Sequence, residues 1–215
     1  MKNKDEIKND VIVLRNLLNN IERYWEGKQC LVQMREQGNP HWKQMEWIGF
    51  YGEFVVRNRI RDNAHIREQG DRFGNVSFDL KGAINWDIKT HPNTASAAIL
   101  NDCEATEQSI AKYGYQGLLI ICVDCDYDET GDFKEWHDRL KGGHSDYEKQ
   151  RVARGAPSRR RKVAANVTNI NYIILDETKL KQLSIKQDGW RNSNGSPRRP
   201  KYSITHRQII EMSEE

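Results

Sequence analysis

The stretch "NVSFDLKGAINWDIKTHPN", residues 75–93, decides how the chain is read. It is two short runs around one glycine, each alternating apolar with polar residues. Side chains two apart on a strand share a face. Asn85, Asp87, Lys89 and His91 therefore line one side of a second strand, and Ile84, Trp86 and Ile88 line the other. Ser77, Asp79 and Lys81 are the polar set of the first strand, beside Phe78 and Leu80. A turn centred on Ala83 sets Asp79 opposite Asp87, with Cβ atoms roughly 4.5–5.5 Å apart. Like charges across a ladder destabilise it, and Asp is disfavoured in strands. A divalent cation between the two removes the conflict, and hard oxygen ligands suit Mg²⁺. Lys89 then stands beside that ion. The plain alternative is an amphipathic hairpin with its polar face in water.

Upstream, a helix is expected over 42–60, after the break "GNPHW" (38–42). Its middle, "WIGFYGEFVV" (47–56), is apolar nearly all round and should be buried. Glu53 is the one charge in it. A buried carboxylate needs a partner or its pKa must rise, and water on a nearby metal ion would supply that partner.

Around these segments the elements alternate. Ile7, Val11, Leu14, Leu18, Ile21 and Trp25 recur at helical spacing and predict a helix over 5–25. Its stripe either packs on the chain's own core or forms a dimer seam. A further helix is predicted over 94–113. "YQGLLIICVDCDYD" (115–128) reads as a buried strand, "DFKEWHDRLK" (132–141) as a helix and "NINYIILDET" (169–178) as another strand. The order implies an α/β fold, an α+β arrangement with a mixed sheet, over a single domain spanning 1–215.

These residues resemble the PD-(D/E)xK nuclease superfamily. Asp79 matches the first acid of its motif. Asp87-Ile88-Lys89 matches the second half, with Asp for the commoner Glu, and Glu53 matches the acid on the preceding helix. Phe78 stands where the family name has Pro, and the seven residues between the acids are few for the family. The resemblance covers about residues 45–125. It implies a restriction-endonuclease-like core, a central mixed β-sheet flanked by helices. It implies one or two Mg²⁺ ions held by Asp79, Asp87, Glu53 and the Ile88 carbonyl, with Glu53, Asp79, Asp87 and Lys89 catalytic. The chain's size looks like a Type II restriction endonuclease, cutting double-stranded DNA to 5′-phosphate and 3′-hydroxyl ends as a homodimer. The alternatives are a structure-specific repair, recombination or phage nuclease of the same fold, and a non-catalytic DNA-binding protein.

With a net charge of only +3 in 215 residues, DNA contacts must come from local clusters. Lys81, Asn85 and His91 share the catalytic face. Arg154, Arg159, Arg160 and Arg161 fall in a loop at about 151–163. Arg191, Asn192, Asn194, Arg198 and Arg199 fall in another at about 189–202. Arg and Asn read base edges or hold phosphates. "REQGDRFGN" (67–75) is another candidate contact loop. No apolar run reaches the roughly 20 residues of a membrane span, no export signal is evident, and scattered cysteines fit a cytoplasmic protein. No glycine-rich phosphate loop calls for a nucleotide cofactor. "CVDC" (122–125) lacks a second pair for zinc, and "DCDYDETGDFKE" (124–135) lacks the glycine of a calcium loop.

Overall fold

The computed structural model describes residues 2–69, 78–144, 146–156, 160–191 and 195–214. Helix α1, Lys4–Leu18, starts at a capping box built on Asn3 and Glu6 and buries Ile7, Val11, Leu14 and Leu18. It stops at Asn19, short of the expected 25. Asn19 and Asn20 are weak helix formers, and Ile21 and Trp25 reach the same core from a turn and from strand β1, Tyr24–Glu26. Helix α2, Gly27–Glu36, follows. The apolar stripe is thus consumed by the chain's own core and offers no seam to a second copy.

After a 3₁₀ turn at Pro40–Lys43, helix α3, Trp47–Ile60, carries the apolar segment as expected. Strands β2 (Arg67–Glu68), β3 (Leu80–Lys81) and β4 (Asn85–Pro92) come next. The expected helix over 94–113 is half strand. Strand β5, Ala97–Asp102, turns Ala98, Leu100 and Asp102 inward, and helix α4, Cys103–Tyr113, starts only where Asp102 caps it. The chain continues through β6 (Gln116–Tyr127), α5 (Asp132–Leu140), α6 (Asp146–Ala153), β7 (Lys162–Leu175), α7 (Glu177–Leu180), β8 (Ser184–Lys186), β9 (Lys201–Thr205) and α8 (His206–Met212).

Six strands form a mixed sheet in the order β1-β7-β6-β4-β3-β2, in which β4 and β6 are parallel and the other pairs antiparallel. A second, antiparallel sheet has the order β5-β9-β8. Leu119, Ile121 and Val123 of β6 join the core under α1, α2 and α3; Leu118, Ile120 and Cys122 join one under β5, β9 and α8. Strand β4, beside β6, is therefore covered on both faces, and Asn85, Asp87 and His91 are buried rather than open to water. The fold is mixed α/β, a mixed sheet flanked by helices.

The hairpin register is fixed by a residue of α1. Asp10 has no exposed surface. Its carboxylate accepts the backbone N–H groups of Ala83 (3.0 Å) and Ile84 (3.3 Å) and the Trp86 indole N–H (2.9 Å), and lies 2.6 Å from His65 Nε2. Gly82 leaves room for it, because a Cβ there would meet Asp10 Oδ2. The Trp86 ring in turn lies flat against Gly117 of β6, where no side chain would fit. Asp10→Ala is expected to cost about 3 kcal/mol of unfolding free energy, because three buried donors lose one acceptor. A chemical denaturation curve checks this; a cost below about 1 kcal/mol would mean that the turn holds itself.

Candidate active site

In the hairpin Leu80 pairs with Trp86 and Lys81 with Asn85, so the turn centres on Ala83. The ladder ends there: Asp79 lies just outside β3 and is offset by one residue from the place opposite Asp87 that the alternation predicts. The backbone N–H of Asp79 donates to the Trp86 carbonyl (3.0 Å), and Asp79 Oδ2 accepts the Ile88 N–H (2.6 Å). An extended residue sends its N–H and C=O to the same edge, so the Ile88 carbonyl also faces the Asp79 side. Lys89 Nζ donates to Asp87 Oδ1 at 2.9 Å. The other oxygen, Asp87 Oδ2, is buried and has no hydrogen-bond partner. Asp87 as a whole is 3% exposed.

Helix α3 delivers Glu53. The preceding residue is Gly52, and a Cβ there would run into Thr90 Oγ1 of β4, so only glycine lets the helix come this close. Glu53 does not wait for a metal ion to supply its partner. Arg57, one turn on, gives Glu53 Oε1 two N–H donors, at 2.9 and 2.7 Å. The same guanidinium reaches Glu68 at 3.2 Å and Asp79 at 3.8 Å. Neither Arg57 nor Glu68 stands out in the sequence motif, although the i,i+4 spacing of Glu53 and Arg57 was a legible signal.

The four expected residues act on one another electrostatically. Burial raises the Asp79 pKa well above its ordinary 3.8, and the charges of Asp87 and Glu53 push it further, against the pull of Lys89 and the Ile88 N–H. Burial works against the Lys89 charge, but Asp87, Asp79 and Glu53 outweigh it and hold the ammonium above its ordinary range. A buried acid pushed toward its neutral form beside a second acid is a strain that a nearby cation would relieve. The orphaned Asp87 oxygen is a free ligand atom in that place, and an all-oxygen donor set suits Mg²⁺. The carboxylates are not drawn tightly together. Among the described residues, the group of three acid or histidine ligands within 4.8 Å of one another is Asp138, His144 and Glu148. That cluster is already neutralised by Lys134, Lys141 and Arg151. Arg151, above all, holds the Glu148 carboxyl down to about 2.

The expected DNA contacts divide. Lys81 lies over the Tyr113 ring (3.5 Å) and donates to Asn85, which donates to Ser109; both are turned toward α4. Asn85 lines a cavity of about 320 Å³ beside the hairpin, with Gln69, Phe78, Gln108 and Arg199. Arg199, 3.7 Å from Asp102, thus lines the same cavity as Asn85, while Arg198 stacks on Trp190 and Arg191 is exposed. His91 is 2% exposed and faces His206 at 5.8 Å, so no duplex reaches it. Arg161 is 5% exposed and cannot serve as a surface contact either. Arg160 pairs with Glu129 and stacks on Tyr127; Arg154 is exposed. Tyr127 is nine residues along β6 from Leu118, the partner of Asp87, which puts that loop roughly 30 Å from the acids at about 3.3 Å per residue. Arg159, Asn192, Asn194, Ser77 and most of the 67–75 loop lie outside the described residues.

The sites set aside in the sequence have other uses. Cys122 and Cys125 are free thiols, and Cys122 meets Asn171. Asp128 accepts from the backbone of Gly131 and Lys134 and caps the start of α5. Compared with protein-family models, curated proteins and solved structures, the chain matches none.

The raised pKa of Asp79 has a measurable sign. Such a group favours the fold below its unfolded value of 3.8, and that contribution is lost as pH rises through the folded value. In metal-free buffer Asp79→Asn is expected to melt above wild type, with a gap that widens as pH rises above about 4. Thermal melts across that range check it, and a gap that does not change with pH would contradict it.

Proposed function

We propose that this chain is a Mg²⁺-dependent endonuclease that hydrolyses phosphodiester bonds in double-stranded DNA at a specific sequence. It is most like a Type II restriction enzyme, on a restriction-endonuclease-like core, and leaves 5′-phosphate and 3′-hydroxyl ends. The observation that carries the reading is the electrostatic coupling of Asp79, Asp87, Glu53 and Lys89 around the buried Asp87, one of whose oxygens is unsatisfied.

Mg²⁺ bound there would supply Lewis-acid stabilisation of the charge that develops on the phosphate. Asp79 and Asp87 would hold it, with the Ile88 carbonyl on the same edge. Lys89 has the role the geometry defines best. Its ammonium is kept charged by three carboxylates, so it orients the attacking water as a donor and opposes phosphate charge, and does not take a proton. Glu53, fixed by Arg57, positions the outer side of the pocket. Arg199, beside the cavity that Asn85 lines, is the described arginine best placed to hold the neighbouring DNA backbone. Cutting both strands of a symmetric sequence needs two such sites, which a C₂ homodimer provides.

A plasmid digest tests the proposal. Wild type with Mg²⁺ should give discrete fragments and none with chelator, and Asp87→Asn should lose cleavage by about a thousandfold or more. A smear or selective nicking of distorted DNA would replace sequence choice with structure choice. DNA binding without metal-dependent cutting in wild type would overturn the enzyme reading.

A further inference from the structure

Arg57 is the charged group at this site that the motif does not account for. It is clamped among Glu53, Glu68 and Asp79 by distances of 2.7, 3.2 and 3.8 Å, with a side chain only 12% exposed. Lys89 stands apart from it, on Asp87 Oδ1. Asp79 Oδ2 is taken by the Ile88 N–H, and Asp87 Oδ2 is left without a donor. The donors therefore sort into two sides. Glu53, Glu68 and one oxygen of Asp79 are served by a permanent cation, since a guanidinium keeps its proton in proteins. On the Asp87 side Oδ2 is a buried carboxylate oxygen without a donor.

The charges agree with that division. Among the described residues, four carboxylates face two cations, which leaves an excess of two negative charges when all are ionised. A divalent ion beside Asp79 and Asp87 would lower that excess. Where two metal ions act on one phosphate they sit roughly 3.5–4 Å apart and share carboxylates between them. Here the carboxylates a second ion would need are the ones that Arg57 holds.

We infer that Arg57 is a built-in second cation, so that this pocket takes one divalent metal ion, at Asp79 and Asp87, where a two-metal site would take two. The inference rests on the metal-dependent reading above and concerns how many ions that site holds. Arg57 is a positioning residue: it fixes Glu53 and supplies positive charge that does not depend on metal concentration.

The test is Mn²⁺ binding to the full chain without DNA, followed by the electron paramagnetic resonance of free Mn²⁺. Wild type should bind one Mn²⁺ per chain that Asp87→Asn abolishes. Arg57→Ala should bind a second, or bind the first about tenfold or more tightly, because a positive charge a few ångströms away is gone. Arg57→Lys, which keeps the charge, should remain at one ion. Two Asp87-dependent ions in wild type would overturn this inference and leave the metal-dependent reading intact. Unchanged number and affinity in Arg57→Ala would overturn it as well. Should no Mn²⁺ in wild type depend on Asp87, the metal site itself fails. The wild-type count decides the matter even where Arg57→Ala does not fold.

Discussion

The candidate site depends on the buried carboxylate of Asp10. A hairpin whose neighbouring acids repel has reason to slip or splay. A slip of one residue would send Asp79 and Asp87 to different partners and turn Trp86 out of the core. Asp10 prevents it by gripping both backbone donors of the turn and the Trp86 indole from another element, α1. Trp86 extends that grip to β6, because its ring occupies the space that Gly117 leaves empty. Helix, turn and central strand are thereby locked in one arrangement, and Asp79 is tied to that strand by the Trp86 carbonyl and the Ile88 N–H.

The second constraint is the price of burying charge. Strand β4 has helices over one face and the smaller sheet over the other, so its polar residues lie in surroundings where an unpaired charge is costly. The chain answers residue by residue. Lys89 meets one oxygen of Asp87, the Ile88 N–H meets one of Asp79, and Arg57 gathers Glu53, Glu68 and the rest of Asp79. The buried Asp87 Oδ2 is left without a donor.

Much of this was legible in the sequence because it is local. The period-two alternation gave the turn at Ala83 and the second strand of the hairpin, though the first strand is only Leu80–Lys81 among the described residues, and the apolar run of 118–123 gave the central strand. Glu53 stood out as the lone charge in a buried helix. Other features depend on partners far along the chain. Residues 97–102 are a strand because β9 lies beside them, about a hundred residues on, and composition alone favoured helix. The stripe of α1 continues by spacing to Trp25, yet two asparagines end the helix and the last two apolar residues arrive by another path. Asp10 could have been noticed, as a carboxylate on an apolar stripe. The basic loops show the opposite limit. Arg161, His91 and Arg199 look alike as candidate contacts, and only packing buries the first two and brings the third to the hairpin.

The most direct measurement is a crystal of the chain soaked in Mn²⁺, with data collected at the manganese absorption edge. The account predicts one anomalous peak per chain within about 2.2 Å of Asp87 Oδ2 and of an Asp79 oxygen, a coordination distance for a hard divalent ion. A peak confined to Asp138, His144 and Glu148, or no peak near Asp87, would contradict it.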